Sequence, residues 1–164
     1  MNKHFENSNL TGVEEVTIVT ILFSIFCTSF GGQTGEQIVT KIVTIVAFSR
    51  MVLFAEQAAK KLSSEGISVE VIDPRTLSPL DDKSIIESVK KTGKLLIVDE
   101  ANPYCSMASE VSSVVAEKAF YALKAPIRKI TSPHTPVPAS PTLEAFYVPS
   151  VSQIEDLARE LSNY

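Results

Sequence analysis

The chain has 164 residues, a length typical of one domain with a full hydrophobic core. Its 45% hydrophobic and 21% charged residues exclude an intrinsically disordered protein. The net charge of −4, without any basic run, argues against a nucleic-acid partner. The two cysteines, Cys27 and Cys105, exclude a disulfide scaffold and have no C-x-x-C spacing for zinc or thioredoxin-type chemistry.

Residues 16–35 carry no charge and equal a membrane span in length. The stretch becomes rich in Thr, Ser, Gly and Gln toward its end. Glu14 and Glu15 precede it, where a secretory signal would carry positive charge. These features favour a buried segment of a soluble fold, and a membrane tether through residues 16–35 stays as the alternative.

From residue 41 onward, apolar runs of strand length alternate with helical periodicity. Asp81 and Ser106 are suited to cap helix starts, whereas Gly66 and Gly93 are suited to helix ends because glycine adopts the left-handed conformation at low cost. Ser150 and Gln153 form a capping box in sequence. The pattern predicts strands over 42–48, 67–72, 94–98 and 127–130, a helix after each of the first three, a stiff proline-rich loop over 131–149, and a final helix.

Alternating strands and helices predict a mostly parallel sheet with helices on both faces. The sequence contains no phosphate-binding P-loop, no dinucleotide-binding G-x-G-x-x-G and no G-x-S-x-G nucleophile elbow. Ser49 and Arg50, at the start of the first predicted helix, leave open a free-standing module that binds a small anion or nucleotide.

Several segments, in chain order, resemble one family. They are F-S-R-M at 48–51, D-P-R-T-L-S-P-L-D at 73–81, D-E-A-N-P-Y at 99–104 and P-H-T-P-V-P at 133–138. They resemble the transketolase C-terminal-like domain of the E1 β subunit of thiamine-diphosphate-dependent acetoin, pyruvate and branched-chain 2-oxo acid dehydrogenases. The last segment is most similar to acetoin dehydrogenase β. The resemblance implies a three-layer α/β/α sandwich with a five-stranded sheet, mostly parallel, whose edge strand runs antiparallel.

The resemblance divides the chain into an atypical extension, residues 1–40, and the family domain, residues 41–164. It implies an assembly domain that is not catalytic alone. In the full enzyme, thiamine diphosphate and magnesium would be held by other domains. The implied partners are the E1 α subunit, a second β subunit and the E2 lipoyl acyltransferase. The implied location is the cytoplasm, or the mitochondrial matrix or plastid in a eukaryote.

Six residues are candidates for structural or interface roles rather than for catalysis. Asp73 and Arg75 could pair with each other or bind an anion at the end of the second strand. Glu100 ends the third strand beside another carboxylate, and the two point to opposite faces. His134 lies in a rigid loop, and no orienting partner can be read from the sequence.

The last two candidates concern E2 docking. The resemblance implies a docking surface near the end of the chain, for which Lys124 and Tyr164, with its carboxylate, are the candidates. Lys124 stands where an acidic residue is common in relatives, so the charge of this surface departs from the family pattern.

Overall fold

Four strands form the centre of the domain. The computed structural model describes residues 41–164. All strand pairs are parallel, in the order β2-β1-β3-β4. In chain order the elements are β1 Lys41–Ala47, α1 Met51–Ser64, β2 Ile67–Ile72, α2 Asp82–Thr92, β3 Leu95–Val98, α3 Met107–Ala119, a 3-10 turn Phe120–Ala122, β4 Arg128–Ile130, α4 Pro141–Tyr147 and α5 Val151–Ser162.

Two hydrophobic clusters, one on each face of the sheet, make the domain three-layered. β1 alternates between them: Ile45 packs with α1 and α5, whereas Val46 packs with α2 and α3. All four residues of β3 are buried, as expected for a central strand covered on both faces. This arrangement confirms the predicted α/β/α sandwich with a mostly parallel sheet.

Three predicted helix boundaries depend on local chemistry and are confirmed. The Asp81 side chain accepts a hydrogen bond from the Ser84 amide at 3.2 Å. Gly93 ends α2 in the left-handed conformation, with φ of 73°. Ser150 and Gln153 form both hydrogen bonds of the capping box at the start of α5. In each case a few adjacent residues determine the boundary.

Three expectations need correction. Ser106 occupies the N-cap position of α3, but its side chain makes no capping hydrogen bond. The segment 131–149 is not loop throughout, because it contains α4 with Pro141 in the first turn, where proline costs no helical hydrogen bond. Residues 41–164 contribute four strands to the sheet, all parallel, so this part of the chain lacks the fifth, antiparallel strand that the resemblance implied. The atypical extension predicted over residues 1–40, with the alternative of a membrane tether through 16–35, lies outside the described residues.

Candidate functional site

The carboxyl ends of β1 and β3 mark the position where a sheet of this kind usually binds ligands. These neighbouring strands connect onward in opposite directions, to β2 and to β4, which opens a crevice between their ends. Arg50 follows β1 and Glu100 follows β3, and their side chains pair across the crevice at 3.1 Å. The guanidinium that the anion-binding hypothesis requires is therefore already matched by a carboxylate.

Two further carboxylates at this edge, Asp73 and Asp99, also have partners within the domain. Arg75 Nε pairs with Asp73 at 2.8 Å, the first of the two predicted alternatives. The buried Asp99 accepts a hydrogen bond from the Ala101 amide at 3.0 Å. These contacts hold the loops after β2 and β3 and leave neither carboxylate directed at an empty site.

His134 has no arrangement for proton transfer. Its ring packs edge-on against Tyr104, with ring centroids 5.0 Å apart. Within residues 41–164 no carboxylate hydrogen-bonds to this imidazole, and a general base needs such an orienting group. The contact is that of two aromatic residues in neighbouring exposed loops.

The segment that follows β4 at this carboxyl edge carries three exposed apolar side chains, Val137, Leu143 and Phe146, which are here together called the carboxyl-edge surface. Phe146 is 84% exposed, and α4, which carries it and Leu143, buries none of its residues. A groove of about 330 Å³ separates α4 from Arg50 and the start of α1. A helix with this much apolar exposure is typical of a surface that another chain covers.

A second surface lies at the opposite, amino edge of the sheet. Phe120, Tyr121, Lys124 and Tyr164 line a mainly apolar groove of about 580 Å³, here called the amino-edge groove. Tyr121 is fully exposed and stacks edge-on against Phe120 at 5.6 Å. The structure therefore brings the two predicted docking candidates, Lys124 and Tyr164, together in one groove.

Sequence reasoning missed Phe120 and Tyr121. The buried stripe of α3 ends at Ala119, so two aromatic residues that follow directly lie off the stripe. Two aromatic residues directly after the last buried residue of a helix were the signal in the sequence that could have indicated an exposed binding surface. Sequence reasoning also missed Gly93 as a support for Lys124: a Cβ at Gly93 would lie 2.8 Å from two carbons of the Lys124 stem.

The comparison with family models identifies the domain. Residues 37–154 match the transketolase C-terminal domain. The chain belongs to the transketolase C-terminal domain family. This transketolase C-terminal domain is similar to a solved chain described as "Split gene transketolase, inactive beta4 tetramer", with a TM-score of 0.64 and 27% identity over 76% of this chain and 39% of that chain.

Curated relatives of the transketolase C-terminal domain include β subunits of oxidoreductases. The acetoin:2,6-dichlorophenolindophenol oxidoreductase subunit β of Cupriavidus necator is 52% identical over 120 residues, 73% of this chain and 36% of the relative. Its Bacillus subtilis counterpart is 50% identical over 119 residues, 73% of this chain and 35% of the relative. The mitochondrial pyruvate dehydrogenase E1 subunit beta-1 of Oryza sativa is 41% identical over 154 residues, 94% of this chain and 40% of the relative. The chain thus spans between a third and two fifths of these relatives.

Two observations bear on thiamine diphosphate with magnesium, which the resemblance implied for the full enzyme. Within residues 41–164 no group of three or more His, Cys, Asp or Glu side chains is placed to hold a metal ion. Arg50, the basic residue at the crevice, is paired with Glu100. In the same part of the chain, no helix is long and apolar enough to cross a membrane. The uncharged stretch 16–35 lies outside the described residues.

Proposed function

We propose that residues 41–164 are the C-terminal assembly domain of the β subunit of a thiamine-diphosphate-dependent acetoin or pyruvate-type 2-oxo acid dehydrogenase. In this proposal the domain performs no catalysis alone. It associates with an E1 α subunit and a second β subunit, and it docks the E2 acyltransferase. The enzyme would act in the cytoplasm, or in the mitochondrial matrix or plastid of a eukaryote.

One observation carries the proposal: Arg50 and Glu100 at the crevice are paired with each other, whereas large apolar side chains are exposed at both opposite edges. Arg50 and Glu100 neutralise each other where a ligand would bind. Phe146 at one edge and Tyr121 at the other are exposed by 84% and 100%. Apolar groups of this size gain free energy when another chain covers them.

The two surfaces suit two different partners. We assign the carboxyl-edge surface to the α subunit or second β subunit, because α4 presents a whole helix with no buried residue. We assign the amino-edge groove to E2, because its lining is mainly apolar and includes the exposed side chains of Phe120, Tyr121 and Tyr164. Thiamine diphosphate, when bound by the other domains, supplies the carbanion chemistry of the whole enzyme.

Coexpression with an α subunit and an upstream β domain tests the proposal. We expect a stable complex on size-exclusion chromatography that contains both subunits and binds thiamine diphosphate. Phe146→Asp should prevent this assembly, because it places a charge in the covered surface. Tyr121→Asp, the matched control on the opposite edge, should assemble normally and lose only E2 capture.

Two results would contradict the proposal. The first is coenzyme-dependent turnover by the purified chain alone. The second is an unchanged complex with Phe146→Asp, which would mean that α4 faces solvent in the assembled enzyme as well.

A further inference from the structure

One long exposed segment joins β4 to α5. It runs from 133 to 147, includes α4, and is here called the α4 arm. None of its residues is buried, whereas Ser132 before it and Pro149 after it are both buried. Its aromatic contact with the rest of the domain is the edge-on packing of His134 on Tyr104, which is itself exposed. The arm is therefore anchored at its two ends, and burial in the hydrophobic core stabilises no residue between them.

The hydrogen bonds of the α4 arm are local. The Tyr147 hydroxyl donates to the Thr135 carbonyl at 3.3 Å, so this bond joins two residues of the arm itself. The Val148 amide, just beyond the arm, donates to the Glu144 carbonyl at 3.1 Å. Within residues 41–164 no other hydrogen bond joins the arm to its surroundings, and the arm forms no ion pair. Movement of the arm would therefore break no network of the folded domain.

The helix α4 is short for a helix without tertiary support. It has seven residues, whereas isolated helices shorter than about 12–15 residues are marginal in water even when their sequence is favourable. The Ser140 side chain does not cap its start, and Thr142, Phe146 and Tyr147 have only moderate helix propensity. A helix of this length with no buried face opens at a small cost in free energy.

Prolines confine this opening to α4. Four of them lie in the first part of the arm and at the start of the helix: Pro133, Pro136, Pro138 and Pro141. Proline fixes φ and has no amide to donate, so the segment before α4 stays extended and gains little freedom when the arm opens. The six residues of α4 after Pro141 have no such restriction. The change on opening is therefore mainly the unwinding of α4.

We propose that α4 folds in step with assembly: in the free chain it opens and closes while the sheet stays folded, and a partner subunit fixes the helix by covering Leu143 and Phe146. These two side chains lie three residues apart, so they share one side of a helix but point to opposite sides of an extended chain. Folding of α4 therefore creates the apolar surface that the partner covers. The inference rests on the proposed assembly function and describes how the same surface is controlled.

The fraction of free chains in which α4 is formed then sets the apparent affinity for the partner. Ala145 gives access to this fraction, because it lines the groove toward Arg50, on the side of α4 away from Leu143 and Phe146. Glycine in place of alanine lowers the helix population without changing the covered side chains. In a helix that is already stable, the same change would leave the affinity unaltered.

Hydrogen exchange of the full chain, followed by mass spectrometry, measures the opening of α4 directly. We expect its amides to be protected less than about tenfold relative to an unfolded peptide, and those of α5 more than about a thousandfold, because α5 buries Ile154, Ala158 and Leu161 in the core. Urea below the unfolding transition should leave the exchange of α4 unchanged, since its opening exposes little surface. In the complex with the α subunit and upstream β domain, the protection of α4 should rise at least about tenfold.

A pair of glycine variants measures the effect on assembly. Ala145→Gly should raise the Kd of this complex about fourfold to fivefold, which corresponds to the helix propensity lost. Ala139→Gly removes the same methyl group from an exposed position of the arm outside α4, and should change the Kd less than about twofold. Circular dichroism in urea should show that neither variant changes the unfolding of the rest of the domain.

Three results would overturn the inference while leaving the proposed assembly intact. They are protection of α4 equal to that of α5 in the free chain, a complex in which α4 exchanges as fast as before, and an unchanged Kd for Ala145→Gly. Absence of any complex would remove the proposed function, and folding in step with assembly would fall with it. Exchange of the free chain separates the two failures, because it requires no partner.

Discussion

Substitution of Gly93 by alanine should destabilise the domain through two separable effects. Gly93 has φ of 73°, and an alanine in this left-handed conformation costs about 1–2 kcal/mol. Part of this cost is offset because alanine reduces the conformational entropy of the unfolded chain. The new Cβ would also lie 2.8 Å from the Lys124 Cγ and Cδ and 3.1 Å from the Ala122 carbonyl oxygen. Such overpacking adds roughly 1–2 kcal/mol if the neighbours move only partly.

Gly66 provides the matched control because it isolates the backbone effect. Its φ is 78°, and no atom lies within 4 Å of an added Cβ. We therefore expect Gly66→Ala to cost about 1 kcal/mol and Gly93→Ala about 2–3 kcal/mol. Urea unfolding followed by circular dichroism measures both, and for a chain of this length 1 kcal/mol corresponds to roughly 2–4 °C in Tm.

The double variant Gly93→Ala/Lys124→Ala then tests whether the excess comes from the lysine stem. Lys124→Ala alone should be nearly neutral, since the residue is exposed. In the Gly93→Ala background, Lys124→Ala should restore part of the stability that Gly93→Ala loses beyond Gly66→Ala, which corresponds to a coupling energy of about 0.5–1 kcal/mol. Equal costs at the two glycines, or no recovery in the double variant, would refute the placement of Lys124 over Gly93.

Two further predictions concern the interior and the packing of α5 on α1. Thr44 Oγ1 lies 2.7 Å from the hydroxyl oxygens of both Ser88 and Thr92, and all three residues are buried. Thr44→Val should therefore lower the free energy of unfolding, measured in urea, by about 1–3 kcal/mol, whereas Ser88→Ala should lower it clearly less because the hydrogen bond between Thr44 and Thr92 remains. Equal losses for the two variants would contradict this network. Arg159 binds Glu65 through two hydrogen bonds of 2.7 and 2.8 Å and lowers the pKa of that carboxyl below its usual 4.5. A carboxyl whose pKa is lower in the folded than in the unfolded protein stabilises the fold above the unfolded pKa, and this stabilisation is lost as the pH falls through the folded pKa. The difference in urea midpoint between wild type and Arg159→Met should therefore shrink on acidification from pH 7 to below about 4.5. A constant or growing difference would contradict the assignment.

The sequence predicted those features of the fold that depend on neighbouring residues. Asp81, Gly93 and Ser150 act on backbone groups within a few positions, so their residue types indicate the helix ends. At Pro141 the prediction of a loop was wrong, because proline is typical both of an extended loop and of the first turn of a helix. The helix α4 therefore could not be distinguished from the proline-rich segment before it.

The candidate site was less predictable because its decisive contacts join distant positions. Arg50 and Glu100 are 50 residues apart and meet only because β1 and β3 are neighbours in the sheet. The sequence placed both residues at strand ends but gave no sign that they would pair. The sequence predicted Lys94 as the first residue of the third strand. In the structure it is buried, and its ammonium donates a hydrogen bond to the Ser162 carbonyl in α5, 68 residues away.

The positions of paired charged side chains and of exposed side chains explain why this domain would act through its surfaces. A ligand site needs polar groups that stay unpaired until the ligand arrives, and such groups cost stability in the free protein. At the crevice Arg50 is instead matched by Glu100. Two groups at the opposite edge of the sheet are different: the ammonium of Lys124 forms no ion pair within residues 41–164, and Tyr121 is fully exposed although its ring contacts Phe120. A solvated lysine and an exposed aromatic ring lower the folding stability of the unbound domain very little. Both groups can therefore stay exposed until a partner binds, and binding requires no rearrangement of the core.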